Sequence, residues 1–268
     1  MILIGEKING AIPSVTKAIA GRDAAFISDL AKKQDAAGAD YIDVCAGTEP
    51  ELEAEALRWL LGVVQSATEK PICLDSPDPR VLADAMPLIQ RPGILNSISG
   101  EGDKCDILLP LLRDNPEWRV VALCCDDVGI AVRAEDKFSI AAGLLEKCAA
   151  CGVTPDRVFI DPLVLAVSAA ADSAVEFCAA LRRLREYSPE VHLAAALSNV
   201  SYGMPERRLL NRTFLSLAMS AGLDSLICDP LRKELIETIY ATEALLGKDR
   251  CCRNYNRAYR AGKIGNRD

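Results

Sequence analysis

Ile72-Cys73-Leu74-Asp75-Ser76-Pro77-Asp78-Pro79 is a short apolar run that stops on a carboxylate and turns at once through proline. Four other apolar runs also end on an acid or an amide: Tyr41-Ile42-Asp43-Val44, Gly93-Ile94-Leu95-Asn96, Val158-Phe159-Ile160-Asp161, and Ala194 to Asn199. Each is followed by a helical pattern. A strand that is apolar along its length and polar at its carboxyl end belongs to a parallel sheet, and in a barrel such ends converge on one pocket. The convergent set here is Asp43, Asp75, Asp161, Asn96 and Asn199, with no His or Cys among them. That suits hydrogen-bonding a polar heterocycle better than hydrolysis or thiol chemistry.

The alternation of strand and helix can be followed along the whole chain. Apolar runs predict strands over 2–5, 40–44, 71–75, 93–97, 119–124, 157–161, 192–198 and 224–228. Helical patterns lie over 23–37, 50–68, 79–90, 102–113, 136–151, 172–186, 206–221 and 231–247. Strands alternating with helices imply parallel pairing. Gly38, Gly152 and Gly222 stand where helices stop, and Asp23, Asp136 and Asp172 stand where N-caps belong. In the helix over 172–186, Val175, Cys178, Ala179 and Leu181 share an apolar face opposite Arg182, Arg183, Arg185 and Glu186. Pro87 and Pro110 fall late in their helical runs and should kink or shorten them. A doubly wound open sheet is the competing architecture. Eight units in 268 residues, and no GxGxxG after the first strand, favour one α/β domain over 1–268, a (β/α)8 TIM barrel.

Half the residues are hydrophobic and 5% are aromatic, as expected when helices pack on a parallel sheet. The net charge of −7 argues against a nucleic-acid binder. The tail from about 249 to 268 runs the other way: Arg250, Arg253, Arg257, Arg260, Lys263 and Arg267 face only Asp249 and Asp268. It reads as a solvated helix end or as a docking patch for an acidic partner. The first strand begins at Ile2, which leaves no room for a signal peptide, and no apolar stretch suits a membrane span, so a cytoplasmic protein is expected. Eleven cysteines in a cytosolic chain do not imply disulfides, and Cys73, Cys124 and Cys228 read as small hydrophobes within strands. Cys148 and Cys151 form a lone CxxC in a helical stretch, and Cys251 and Cys252 lie in the basic tail. The single histidine, His192, begins a strand rather than ending one, so no bound metal is expected.

An ionised carboxylate accepts two hydrogen bonds side by side, whereas an amide both donates and accepts. Together they match a ring edge that carries an amino group, a ring N–H and a carbonyl, as the pyrimidinone edge of a pterin does. The ordered set GEKIN (5–9), CLDS (73–76), ILNSIS (94–99), IDPL (160–163), LSNVSYGMPERRLLNRTFL (197–215) and ELIET (234–238) resembles the methyltetrahydrofolate:corrinoid protein methyltransferases. These are pterin-binding barrels related to dihydropteroate synthase and to the folate module of cobalamin-dependent methionine synthase. The resemblance implies that Asp75, Asn96 and Asp161 hydrogen-bond the pterin ring and that Asn199 is the catalytic group, reaching N5. It places Ser198 and Gly203 in the loop after the seventh strand, Arg207 near the aminobenzoyl or glutamate part, and Glu6, Asn9 and Asp43 at the pocket border.

The implied activity is transfer of a methyl group, in either direction, between N5 of tetrahydrofolate and the cobalt of a corrinoid. No corrinoid-binding sequence of the DxHxxG type follows His192, so the cobalamin is expected on a separate partner protein. A homodimer is carried over from the family. The alternatives are a non-catalytic folate-binding subunit and a dihydropteroate synthase-like enzyme. The latter is disfavoured because the last strand, Ser225-Leu226-Ile227-Cys228-Asp229-Pro230, lacks an Arg-His pair for pyrophosphate. A generic barrel aldolase or phosphate enzyme is disfavoured too, with no Lys ending a strand and no glycine-rich phosphate loop.

Overall fold

A computed structural model describes residues 1–265. Arg267 and Asp268 of the expected basic tail lie outside the described residues. The strands are β1 (Ile2–Asn9), β2 (Tyr41–Cys45), β3 (Ile72–Asp75), β4 (Ile94–Gly100), β5 (Arg119–Asp126), β6 (Gly129–Ile130), β7 (Val158–Asp161), β8 (His192–Leu193) and β9 (Ser225–Cys228). The helices are α1 (Pro13–Ala20), α2 (Ala24–Ala36), α3 (Pro50–Ala67), α4 (Pro79–Ala85), α5 (Lys104–Asp114), α6 (Ala134–Ala150), α7 (Ser173–Tyr187), α8 (Arg207–Ser220), α9 (Lys233–Leu245) and α10 (Arg253–Arg260).

Eight strands pair in parallel in the order β8-β7-β5-β4-β3-β2-β1-β9, while β6 folds back antiparallel on β5. The ends of this sheet meet along a thin seam. Ala196 bridges Ile227, Ile227 N donates to Ala195 O at 2.9 Å, and Asp224 N donates to Leu193 O at 3.1 Å. The result is the expected (β/α)8 barrel, with helices packed around a nearly closed sheet.

Alternation along each strand divides the core in two. Ile4, Tyr41, Cys73, Ile94, Val121, Phe159, Ala194 and Ile227 fill the barrel, one from each strand or its immediate exit. The larger apolar cluster, including Ile42, Leu74, Leu95, Val120 and Ile160, faces the helices. One step from the interior layer toward the carboxyl ends, the same alternation puts Glu6, Asp43, Asp75, Asn96 and Asp161 inside. At the opposite end, Arg119 Nη1 donates to the Tyr41 hydroxyl at 2.5 Å, and His192 stacks on Phe159 with Nδ1 3.4 Å from Asp224 Oδ2. The only histidine therefore belongs to the barrel floor.

Several boundaries differ from expectation, each for a local reason. Strand β1 runs on to Asn9, through a register shift between Gly5 and Ile8. Strand β8 stops after two residues, and Leu197–Ser201 form a 3-10 turn where strand was expected, because Asp161 Oδ2 takes the N–H of Ala196 at 3.2 Å. Helix α4 stops before Pro87, whereas Pro110 sits inside α5. Asp23 caps α2 by accepting from Phe26 N at 3.0 Å. Asp136 is not a cap, since α6 begins two residues earlier and places it in the first turn. Asp172 occupies the N-cap position of α7 without a capping hydrogen bond. In that helix Cys178 and Leu181 are buried with Phe177, but Val175 faces solvent. Gly38, Gly152 and Gly222 all hold positive φ after their helices. Cys73, Cys124 and Cys228 are buried, with thiols pushed well above the usual range by burial. Cys251 and Cys252 are exposed ahead of α10. No helix among the described residues is long and apolar enough to cross a membrane.

Candidate functional site

The carboxyl ends of the strands open into one cavity of about 810 Å³. Its walls include Glu6, Asn9, Asp43, Asp75, Asn96, Asp161, Ser198, Asn199 and Arg207. Nine of the ten residues singled out in the sequence thus share one space. Gly203 is the exception: it turns the loop beyond the 3-10 segment at φ +75° without lining the cavity.

Each wall residue is aimed by its backbone. On β1 the irregularity after Gly5 is held from α2, where Gln34 Oε1 accepts from Lys7 N at 3.0 Å. A Cβ at Gly5 would stand 2.5 Å from that same oxygen, so a larger residue there would displace the Gln34 carboxamide that holds the irregularity. Asp75 ends β3 beside Asn96 on β4. Behind Asp75, Ser76 Oγ donates to buried Glu53 Oε1 at 2.6 Å, tying the strand exit to α3. Asp161 accepts from Leu163 N at 2.8 Å through Oδ1 and from Ala196 N through Oδ2.

Asn199 projects from the 3-10 turn, and its carboxamide has no protein partner among the described residues. That turn is pinned from α8: Arg207 Nη2 donates to Ser198 O at 2.8 Å and Arg207 Nε to Ser201 Oγ at 3.1 Å. Arg207 therefore supports the loop that carries Asn199 as well as lining the cavity. Asn9 Oδ1 is occupied locally, accepting from Ala11 N at 2.9 Å.

Burial sets the electrostatics. It raises Asp75 and Asp161 to about 6 and, with Asp229 adding repulsion, Glu6 to about 7. Asp43 is raised well above the carboxylate range by burial and then by Asp75, and its Oδ1 has no hydrogen-bond partner among the described residues. A buried polar atom left open in this way is suited to a ligand that brings its own hydrogen bond. Below about pH 3 these carboxyls are largely neutral in folded and unfolded chains alike. As pH rises through 6 to 7 the folded chain must ionise buried groups, so stability present at acid pH is lost. Asp75→Asn, which never ionises, is expected to stabilise the ligand-free protein by on the order of 1 kcal/mol at pH 8, allowing for its partial exposure. The gain should shrink at pH 5. Thermal melts at the two pH values check this, and an equal effect at both would contradict it.

Six further polar or charged residues line the cavity and were not singled out as site residues in the sequence: Lys7, Arg208, Asn211, Asp229, Arg232 and Glu234. Asp229 lies 3.4 Å from Lys7 Nζ and 3.3 Å from Arg232 Nε. It was findable, because Leu226-Ile227-Cys228-Asp229-Pro230 is one more apolar run ending on a carboxylate before proline. Asn211 stands one turn after Arg207 on α8, and its buried Oδ1 has no partner. No group of three or more His, Cys, Asp or Glu among the described residues could hold a metal ion.

A parallel barrel with acids and amides gathered at its strand ends defines a heterocycle-binding enzyme, and comparison with known proteins narrows the class. The profile of the pterin-binding enzyme family matches residues 8–229, and the chain belongs to that family. It is 49% identical over 266 residues to the methylcorrinoid:tetrahydrofolate methyltransferase of Eubacterium limosum, covering 99% of this chain and 98% of that protein. It is 28% identical over 240 residues to the methionine synthase of Mycobacterium leprae, of which the match spans 20%. Among solved structures, dihydropteroate synthase from Xanthomonas albilineans bound to 4-aminobenzoic acid superimposes with a TM-score of 0.71 at 19% identity, over 91% of this chain and 92% of that one. The Coxiella burnetii enzyme in complex with pteroic acid gives 0.64 at 14% identity, over 91% and 94%. These two likenesses concern the fold.

Proposed function

We propose that this protein transfers a methyl group between a corrinoid carried by a separate protein and N5 of tetrahydrofolate. One observation carries the reading: Asp75, Asn96 and Asp161 share a cavity with Asn199, whose carboxamide is unpartnered at its mouth. The name of the 49% identical relative supports the direction from methylcorrinoid to tetrahydrofolate. Folate and the corrinoid are both substrates here, the latter brought by its partner over the open end of the barrel. In this reading the chain acts as one domain over 1–268, in the cytoplasm and as a homodimer, without a bound metal of its own.

The chemistry asked of the residues is limited. The N5 lone pair forms the new N–C bond as the carbon–cobalt bond breaks and its electron pair stays with cobalt. Positive charge builds on N5 until its proton leaves to solvent through the open mouth. Asp75, Asn96 and Asp161 hold the pyrimidinone edge, which fixes the direction in which N5 points, and such positioning supplies much of the rate. The Asn199 carboxamide oxygen accepts from N5–H as charge grows. The same bond serves the reverse direction, in which methyltetrahydrofolate must carry a proton on N5 before the methyl group leaves, and that N5–H donates to the carboxamide oxygen.

Incubating the protein with methylcobalamin and tetrahydrofolate, and following the cobalt absorbance together with methyltetrahydrofolate formation, tests the assignment. Absence of transfer with either free methylcobalamin or a corrinoid protein, in the presence of tight folate binding, would favour the non-catalytic folate-binding subunit. A pterin edge that donates two N–H bonds needs an ionised acceptor. Because Asp75 and Asp161 ionise near 6, folate affinity should weaken as pH falls from 7.5 to 5, by roughly tenfold per protonation that binding must reverse. Calorimetric titrations across that interval check the slope, and affinity independent of pH would remove the carboxylates from ring recognition.

A further inference from the structure

Lys137 on α6 is fully buried and makes no ion pair among the described residues. Its ammonium instead donates to two consecutive carbonyls, Pro162 O at 2.6 Å and Leu163 O at 2.7 Å. Those residues directly follow Asp161. Leu163 holds φ +56°, a left-handed conformation that costs a branched side chain energy. In that conformation its N–H reaches back to Asp161 Oδ1 at 2.8 Å. The ammonium therefore clamps the outer side of a turn whose inner side grips the carboxylate. Burying a lysine this deeply is expensive, and two backbone carbonyls alone are a weak reason to use a charged donor.

The charged and titratable groups around Asp161 show what the charge is for. Lys137 approaches from α6, the Cys124 thiol from β5, and Glu176 of α7 is near enough to Lys137 to favour its charge. From the β8 side come only backbone groups, Ala196 N among them. Elsewhere on the cavity wall stand the acids Glu6, Asp43 and Asp75 and the cations Lys7, Arg207, Arg208 and Arg232; Arg207 is engaged by Ser198 O, Lys7 and Arg232 by Asp229, and Arg208 by Glu234. Lys137 is the cation that faces Asp161 in this setting.

We propose that Lys137 is a positioning residue for pterin recognition, fixing the Asp161–Leu163 turn and favouring the ionised carboxylate that the ring edge requires. The inference rests on the folate reading given above and adds a residue that does not line the cavity. It also separates two jobs that a core clip would not separate. A neutral clip would hold the turn equally at every pH. A cation holds it and also lowers the pH at which Asp161 becomes an acceptor, pulling against the burial that raises it to about 6.

The test is folate binding by calorimetry between pH 5 and 9 for the wild type, Lys137→Met and Lys137→Arg, with thermal melts of each. Lys137→Met should bind folate roughly tenfold or more weakly at pH 7. The midpoint of its pH dependence should move upward by about one pH unit or more, with affinity partly recovered at alkaline pH. Lys137→Arg, which keeps the cation, should keep the wild-type midpoint even where its packing lowers affinity. A methionine variant with the wild-type midpoint, or an equal loss at every pH, would overturn the assignment and leave Lys137 a core clip. If Lys137→Met does not fold, Lys137→Gln repeats the comparison, because it retains an N–H donor and loses the charge. Failure of both neutral variants to fold also assigns Lys137 to the core alone. Absence of folate binding by the wild type would instead overturn the methyltransferase reading, which keeps the two failures apart.

Discussion

Replacing Asn199 by alanine is expected to slow methyl transfer by about a hundredfold or more at saturating folate, the loss typical of removing one well-placed polar group from a reacting centre. Folate affinity should fall far less. The Asn199 carboxamide stands on a 3-10 turn at the cavity mouth, apart from the strand-end groups proposed to grip the ring, and has no partner among the described residues to leave unsatisfied. A contact that strengthens as charge develops on N5 lowers turnover more than ground-state binding. Single-turnover measurements of the cobalt absorbance change, beside equilibrium binding of the same variant, separate the two quantities. A near-wild-type rate would show that another group or an ordered water serves N5. A loss confined to binding would move Asn199 into the ring-recognition set.

Asp161→Asn should do the opposite, weakening folate binding by roughly ten- to a hundredfold. The wild-type carboxylate already accepts one backbone N–H on each oxygen, from Leu163 and from Ala196, and keeps further lone pairs for the ring. An amide at this position must turn its NH2 toward one of those donors or toward the ring's own N–H groups, and either choice sets donor against donor. Asparagine preserves the volume, so the barrel should stay folded, and a thermal melt run with the calorimetry guards the comparison. Wild-type affinity in a folded Asp161→Asn variant would exclude Asp161 from the ring edge.

The barrel and most of the cavity were legible because parallel strands buried on both faces announce themselves as apolar runs, and a polar residue ending such a run has few places to go. Asp75, Asn96 and Asp161 are read correctly onto the cavity wall for that reason. The seventh barrel strand was overextended because Ala194 to Leu197 look like strand, whereas the Asp161 side chain captures the Ala196 N–H and ends the ladder. That contact crosses 35 positions in the chain, and no local pattern encodes it. The short helix α1 and the β5–β6 hairpin also went unread, being brief elements inside strand–helix loops. Asp229 was missed although it obeys the rule that found the others. Lys137 could not be found from pattern, since a polar residue in an amphipathic helix is assigned by default to the solvent face, and only the fold brings Pro162 and Leu163 to its ammonium.

The 3-10 turn after β8 has a consequence for how such proteins diversify. The groups proposed to bind the ring edge are built into β3, β4 and β7, where moving one residue would disturb a ladder of backbone pairs. Asn199, the group proposed to meet the reacting atom, sits outside the ladder, on a turn held by Arg207 and by a one-bridge seam. Inheritance can therefore act on the two parts separately. A descendant that keeps the strand ends keeps its taste for one heterocycle, while rewriting a single turn offers it a new reaction. The dihydropteroate synthase structures show that this barrel is built with little shared sequence.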